Sequence, residues 1–324
     1  MHRENQVLVC AQSNTAVDWI AEKLVDRGVP VLRIGNPSRV NDKMLSFTYE
    51  RRFEGHPSYT ELWGIRKSIR EMGNRMRKSS YSEREAARSR INHLRERATE
   101  LEIQINEDLF SGARVIASTL VSSNHRILTG RRFTTLFIDE AAQALEAACW
   151  IAIRKADRVI FAGDHCQLPP TIKCIEAARN GLEQTLMEKV AANKQETVSL
   201  LKVQYRMHQS IMQFSSEWFY QGELQAAPEV TNRGILDLDL PMSWIDTSEM
   251  EFHEEFVGES FGRINKPEAN LLLQELEAYI RKIGEKRVLE ERIDFGLISP
   301  YKAQVQYLSC LLYTSPSPRD LSTS

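Results

Sequence analysis

The chain has 324 residues, of which 42% are apolar and 27% are charged, and its formal net charge is −2. This length is enough for two ordinary domains, and the composition fits a soluble globular protein. The near-neutral charge excludes a globally basic nucleic-acid binder, so any basic surface must be local.

The first elements follow the strand–helix–strand order of an α/β protein. Residues 6–11 form an apolar run that predicts a strand, and Ser13 or Asn14 can cap a helix over residues 15–26. Residues 31–34 predict the next strand. This order indicates a parallel sheet flanked by helices.

Residues 43–110 interrupt this pattern with charged, helix-forming sequence. Apolar residues recur there at helical spacing, and residues 78–82 fit the turn of a helical hairpin. Two interpretations stay open: solvated helices stabilised by ion pairs, which charge alone favours, or a basic arm that contacts phosphates. The basic cluster comprises Arg66, Lys67, Arg70, Arg75, Arg77 and Lys78.

Strand patterns return after the helical segment. Apolar runs at residues 114–119, 134–139 and 158–163 predict further strands of the first sheet. A second α/β block follows, with an amphipathic helix over residues 268–283 and its clearest strand at residues 294–299.

The strand at residues 134–139 ends in two carboxylates, Asp139 and Glu140. A buried parallel strand delivers such acids to the edge of the sheet where ligands bind. In nucleotide hydrolases the first acid holds magnesium, and the second orients or deprotonates the attacking water. Many buried strands end in an acid by chance, so two further segments decide the interpretation.

These segments are a stiff loop and a tyrosine–arginine pair. The loop at residues 163–170 contains a glycine and two prolines, which would hold Gln167 beside the acid pair as a hydrogen-bonding sensor. Tyr205 can stack on a base, and Arg206 can reach a phosphate across an interdomain cleft. Taken singly, each segment is typical of an ordinary turn or of a structural pair.

Taken in order, five segments resemble the motifs of superfamily 1 helicases. The similarity is to the up-frameshift-like group, which includes the nonsense-mediated-decay helicase and its DNA-acting relatives. Five motifs in the family's order are highly specific, and the resemblance extends over nearly all of the chain. They lie at residues 11–18, 138–143, 163–170, 204–208 and 297–305.

The resemblance implies two RecA-like domains of the P-loop NTPase class, which bind ATP and Mg²⁺ between them. Asp139 matches the magnesium ligand, Glu140 the catalytic base and Gln167 the γ-phosphate sensor. Tyr205 matches the residue that stacks on adenine, and Arg206 the arginine that stabilises the transferring phosphate.

The resemblance also implies further contacts. Asp164 and Gln143 belong to the expected nucleotide-binding set. Single-stranded DNA or RNA would lie across both domains. Members of the family carry a small subdomain inserted near the nucleic-acid path. By this analogy the two interpretations of residues 43–110 become equally favoured. The expected nucleic-acid contacts are Ser13, Asn14, Thr15, Ser118, Thr119, Pro300 and Tyr301.

The chain departs from the family pattern at both ends. It contains no glycine-rich GxxxxGK[ST] phosphate loop, and the accessory β-barrel and last motifs of the family are not found. We therefore expect a truncated sequence, with RecA-like domain 1 over residues 1–195 and part of domain 2 over residues 196–309. Residues 310–320 match a translated transposase sequencing adapter codon for codon, so residues 310–324 are interpreted as an artefact and expected to be disordered.

The sequence predicts an ATP-dependent 5′-to-3′ helicase or translocase, and it predicts that the chain as given is inactive. The alternative is a non-catalytic nucleic-acid-binding module with a vestigial nucleotide site. No membrane contact is expected, because no apolar run approaches spanning length. Residues 1–20 lack a signal-peptide pattern, and the five cysteines show no CxxC pairing, which favours reduced thiols and a cytoplasmic protein.

Overall fold

The computed structural model describes residues 6–76, 81–236, 239–258 and 262–314. The chain divides into two compact units, Met1–Ser199 and Leu200–Ser324, near the predicted boundary. The strands are β1 (Val7–Ala11), β2 (Val31–Ile34), β3 (Val115–Thr119), β4 (Phe133–Asp139), β5 (Ala156–Phe161), β6 (Val203–Gln204), β7 (Gln225–Ala226), β8 (Glu255–Val257) and β9 (Gly262–Ile264).

Six of the α-helices in the described ranges exceed ten residues. None of those described is both long and apolar enough to cross a membrane. The α-helices are α1 (Asn14–Val25), α2 (Asp42–Leu45), α3 (Tyr49–Glu54), α4 (Tyr59–Met76), α5 (Tyr81–Ser111), α6 (Glu146–Ile153), α7 (Ile175–Ala177), α8 (Leu186–Asn193), α9 (Gln209–Phe219), α10 (Lys266–Ile283), α11 (Glu285–Glu290) and α12 (Lys302–Thr314). The six that exceed ten residues are α1, α4, α5, α9, α10 and α12.

The first unit is built on a five-stranded sheet with the order β2-β3-β1-β4-β5, and each neighbouring pair is parallel. All residues of β2 and β3 are buried, including Arg33, Ser118 and Thr119, and the other residues of both strands are apolar, as is typical of strands covered on both faces. Leu8, Ile116 and Leu136 lie in the core with no exposed surface. The predicted α/β class and the predicted strands of the first sheet are confirmed.

The predicted helical segment is confirmed as α2–α5. Leu62 of α4 is fully buried in an apolar cluster with residues of α5, as the helical spacing predicts. Two ion pairs also join these helices: Arg66–Glu102, with a nitrogen–oxygen distance of 2.6 Å, and Arg97–Glu61 at 3.1 Å. The segment is therefore a packed helical module and not an irregular loop.

One of these ion pairs involves Arg66, a member of the basic cluster of this module. Arg66 is neutralised by its partner, whereas the Lys67 ammonium lies 5.4 Å from the centre of the Trp63 ring. Arg77 and Lys78 lie outside the described residues, as does most of the predicted hairpin turn. A role in binding phosphates therefore stays a prediction.

We expect that trimming this module in the full-length protein lowers single-strand affinity without changing nucleotide affinity. The trim replaces residues 67–95 with a short glycine–serine linker, which keeps the cluster around Leu62 and both ion pairs. Each lost phosphate contact reduces the slope of log affinity against log salt by about 0.7 for a single strand. Anisotropy titrations at several salt concentrations measure the slope.

The matched control exchanges Arg66 and Glu102, which preserves the ion pair and the net charge. It should bind strands as the unaltered protein does. If the trimmed protein also binds equally well at every salt concentration, the module has no role in gripping nucleic acid.

The second unit contains shorter strands than predicted. β6 pairs with β7 in parallel over two residues, and β8 pairs with β9 in antiparallel fashion. The predicted strand at residues 294–299 is wrong, because this run has no strand partner among the described residues. Ile298 is 93% exposed, and an apolar run forms a strand only where a neighbour completes its hydrogen bonds. The predicted amphipathic helix is confirmed as α10, capped by the Asn265 side chain.

The predicted disorder from residue 310 is wrong for the first residues of that tail. Helix α12 continues through residues 310–314, and Leu308 in its middle is buried. Once a helix is anchored by packing, each added residue gains a hydrogen bond at little further cost. Residues 315–324 lie outside the described residues.

Candidate functional site

The predicted site residues of the first unit meet at the carboxyl edge of the parallel sheet. Asp139 is the last residue of β4 and pairs in register with Ala11, the last residue of β1. Ala11 in turn pairs with Thr119, the last residue of β3. Three segments that are distant in sequence therefore share the edge where open α/β sheets bind ligands.

Glu140 leaves β4 in a sharp turn. Its backbone is left-handed, with φ 52° and ψ 39°, which costs a residue with a Cβ atom about 1 kcal/mol or more. Asp139 is partly buried, whereas Glu140 and Gln143 are exposed. The Gln143 N–H donates to the Glu140 carbonyl at 3.0 Å and closes the turn. The second carboxylate can thus contact water beside the first.

Gly163 allows the loop after β5 to pack against this acid-bearing turn. The Ala141 N–H donates to the Ala162 carbonyl at 2.9 Å. A Cβ atom on Gly163 would lie 3.0 Å from the amide nitrogens of both Ala141 and Ala142. A larger residue would push the two backbones apart, so glycine is needed for this close approach.

Asp164 organises the loop that carries Gln167. One of its carboxylate oxygens accepts the Cys166 N–H at 3.0 Å, and the other accepts a hydrogen bond from Gln167 Nε2 at 2.9 Å. Asp164 was predicted to bind nucleotide, and in the structure its carboxylate also holds the predicted sensor. Burial, with a smaller contribution from Asp164, raises the pKa of the Cys166 thiol, so the thiol is protonated at neutral pH.

This donor set fits one side of a magnesium–nucleotide site. Asp139 and Glu140 offer the carboxylate oxygens that Mg²⁺ and its bound water require, and Gln167 offers an amide on the adjacent loop. The chain contains no GxxxxGK[ST] segment, which would provide the amide cradle and lysine for the phosphates.

The residues of the first motif that are predicted to contact single-stranded nucleic acid lie at the start of α1. Ser13 caps the helix, because its hydroxyl accepts the Ala16 N–H at 3.1 Å. Asn14 occupies the first helical position and is partly exposed, and Thr15 is exposed. These three side chains lie directly after β1, at the same sheet edge as Asp139.

The structure corrects the prediction for Ser118 in β3. The Ser118 side chain has no exposed surface, and its oxygen lies 3.5 Å from the Cys10 sulfur. It is therefore unavailable to single-stranded nucleic acid. Burial raises the pKa of this Cys10 thiol to about 12. Thr119 points to the opposite face and donates to Ser122 Oγ at 2.8 Å, as expected from alternation along a strand.

Sequence analysis did not single out Arg33, which the structure places in contact with this motif. Arg33 is fully buried in β2 and donates through Nε to Asp18 Oδ1 at 2.8 Å. It also donates through Nη2 to Asn14 Oδ1 at 2.9 Å and through Nη1 to the Ile34 carbonyl at 2.6 Å. A buried cation without partners would cost several kcal/mol, so one arginine inside an apolar strand is itself a signal of such a network.

In the second unit, Tyr205 and Arg206 are exposed in the turn between β6 and α9. Gln204 Oε1 accepts the backbone N–H groups of Arg206 at 2.8 Å and Met207 at 2.9 Å, which fixes the turn. In the part of the chain that the structure describes, the Arg206 guanidinium takes part in no ion pair. It is therefore free to meet an anionic ligand.

Pro300 and Tyr301 are the remaining residues predicted to contact nucleic acid. They line a cavity of about 390 Å³ in the second unit. The Arg263 guanidinium lies 5.8 Å from the centre of the Tyr301 ring. Pro300 and Tyr301 are both exposed, as a contact with nucleic acid requires.

Comparison with known proteins gives matches along nearly the whole chain. Two family models, each described as an AAA domain, match residues 1–174 and residues 182–322. The DNA-binding protein SMUBP-2 of Rattus norvegicus is 32% identical over 321 residues, covering 94% of this chain and 32% of the relative.

Two further relatives show the same pattern. The DNA polymerase alpha-associated DNA helicase A of Saccharomyces cerevisiae is 31% identical over 355 residues, covering 99% of this chain and 51% of the relative. The regulator of nonsense transcripts 1 homolog of Arabidopsis thaliana is 33% identical over 315 residues, covering 94% of this chain and 23% of the relative. The chain thus spans about half or less of the length of these curated relatives.

Proposed function

Because the chain belongs to the up-frameshift-like group of superfamily 1 helicases, with two RecA-like domains, we propose that the whole protein is an ATP-dependent 5′-to-3′ helicase or translocase. The proposed substrate is single-stranded DNA or RNA. Both are included because the relatives' names comprise a DNA helicase and a regulator of transcripts. A cytoplasmic location is part of the proposal and rests on the cysteine pattern alone.

One observation carries this proposal. The loop with Gln167 packs through Gly163 against the turn with Glu140, directly after the strand that ends in Asp139. A metal ligand, a base and an amide sensor on adjacent turns are what nucleotide hydrolysis requires. A nucleic-acid-binding module without catalysis has no need of this arrangement.

Each residue then has a defined task. Asp139 would hold magnesium, which would supply charge neutralisation at the phosphates. Glu140 accepts a proton from the attacking water, and Gln167, whose amide Asp164 fixes, senses the γ-phosphate. Arg206 contributes positive charge to the transferring phosphate, and Tyr205 stacks on the base.

The second candidate function, a non-catalytic nucleic-acid-binding module, has one observation in its favour. The 324 residues contain no GxxxxGK[ST] segment. An amide cradle and its lysine, which bind phosphates strongly, are therefore not part of these 324 residues.

We expect that the 324-residue chain alone does not hydrolyse ATP at a measurable rate, whereas the full-length protein does so and is stimulated by single strands. The test compares phosphate release by the two proteins with and without oligothymidylate or oligouridylate. Strand binding without hydrolysis by the full-length protein would favour the binding module. Equal hydrolysis by both proteins would show that hydrolysis does not require a GxxxxGK[ST] loop.

A further inference from the structure

Arg33 connects the turn of the first motif, which is predicted to contact single-stranded nucleic acid, to the interior of the first unit. Its guanidinium is fully buried and donates to Asp18, to Asn14 and to the carbonyl of Ile34. Asn14 and Asp18 lie one turn apart on α1, on the same face, so a single guanidinium spans both.

This contact determines which atom of the Asn14 amide faces inward. Arginine has donors only, so the atom 2.9 Å from Arg33 Nη2 must be the amide oxygen. The amide nitrogen lies on the other branch of the group, and among the described residues no acceptor receives a hydrogen bond from it. Asn14 is partly exposed between Ser13 and Thr15, so its two N–H groups are available to a ligand.

Two neighbours keep the guanidinium in this position. A Cβ atom on Gly35 would lie 2.9 Å from Arg33 Nη1, so the glycine leaves the space that the guanidinium fills. The second carboxylate oxygen of Asp18 accepts the Asn41 N–H at 2.9 Å, at the entry to the helical module. Asp18 therefore cannot turn away from Arg33 without losing a second hydrogen bond.

We propose that Arg33 is a positioning residue for nucleic-acid binding: together with Asp18 it orients the Asn14 amide so that its nitrogen donates to a backbone phosphate of the single strand. This inference rests on the proposed function of the first motif. An amide that rotates freely would present its oxygen to the phosphate part of the time, which is repulsive. Orientation before binding removes both that repulsion and the cost of ordering the side chain.

A double-mutant cycle in the full-length protein tests the proposal, with Arg33→Lys, Asn14→Ala and the combination of both. The probes are fluorescein-labelled oligothymidylate and oligouridylate of equal length. Lysine keeps the charge but cannot reach three acceptors at once. We expect each single change to weaken strand binding about tenfold, the loss of one hydrogen bond to a charged group. We expect the combination to be no weaker than Asn14→Ala alone, with nucleotide affinity unchanged throughout.

The additivity of the two losses separates positioning from stability. A purely structural role for Arg33 would add its binding loss to that of Asn14→Ala, for about a hundredfold loss in the combination. Additive losses, or an equal loss of nucleotide affinity, would overturn the proposal.

A second variant decides the matter even where Arg33→Lys fails to fold. Asn14→Asp keeps an oxygen toward Arg33 but replaces the N–H groups with a carboxylate oxygen that repels phosphate. It should unfold at or above the normal temperature and bind strands more than about tenfold more weakly. The matched control, Asn270→Asp in the first turns of α10, alters an exposed amide, and it should change neither property.

Normal strand binding by Asn14→Asp would overturn the positioning role alone. If the unaltered full-length protein binds neither probe, the proposed function itself fails.

Discussion

Full-length protein carrying Glu140→Gln is expected to lose ATP turnover while keeping its affinity for ATP. Glutamine has nearly the same shape but cannot take a proton from water, so the loss falls on the transition state and not on nucleotide binding. Removing a general base costs about two to four orders of magnitude in rate. Steady-state phosphate release with saturating single strand, measured beside equilibrium binding of a fluorescent ATP analogue, checks both parts.

The choice of glutamine matters because Glu140 has a left-handed backbone, with φ 52°. Glutamine meets the same backbone cost as glutamate, whereas glycine would relieve it and change the stability of the turn. The matched control is Glu183→Gln, an exposed glutamate of the same unit, which should hydrolyse ATP normally. Turnover by Glu140→Gln close to that of the unaltered protein would contradict the role of Glu140 as the base.

Replacing Arg206 with alanine is expected to lower turnover by about three to five orders of magnitude, the contribution of a phosphate-stabilising arginine. Its guanidinium has no ion pair within the described residues, and Gln204 fixes the turn through backbone groups that alanine retains. Thermal stability should therefore be unchanged. Single-turnover hydrolysis at saturating ATP measures the chemical step directly.

Two companion variants separate charge from geometry. Arg206→Lys keeps the charge but loses the planar fork of donors, so it should recover only part of the lost rate. Arg281→Ala removes an exposed arginine on α10 whose partner is Glu277, and it should have no effect on hydrolysis. If Arg206→Ala hydrolyses ATP as fast as the control does, Arg206 does not act on the nucleotide.

Local sequence patterns determined a large part of this protein. Helices α4, α5 and α10 were predicted from apolar residues at helical spacing, because a helix completes its backbone hydrogen bonds within one short segment. The strands of the first sheet were predicted from apolar runs, although only β2 and β3 are buried along their whole length and β4 and β5 leave Phe137 and Ile160 exposed. The position of Asp139 at the end of such a run placed it at the ligand-binding edge. The order of the motifs was sufficient to indicate the family.

Contacts between distant segments decided what the sequence alone could not. Ser118 and Thr119 are adjacent polar residues, and only their place in the packed sheet buries both and turns their hydroxyls to opposite faces, toward Cys10 and Ser122. Residues 294–299 have a strand-like composition without a strand partner in the described parts of the chain. Arg33 acquired its role from Asn14 and Asp18 on another element. Burial, strand pairing and ion pairing are properties of the neighbours that folding brings together, whereas helical periodicity is a property of the segment itself.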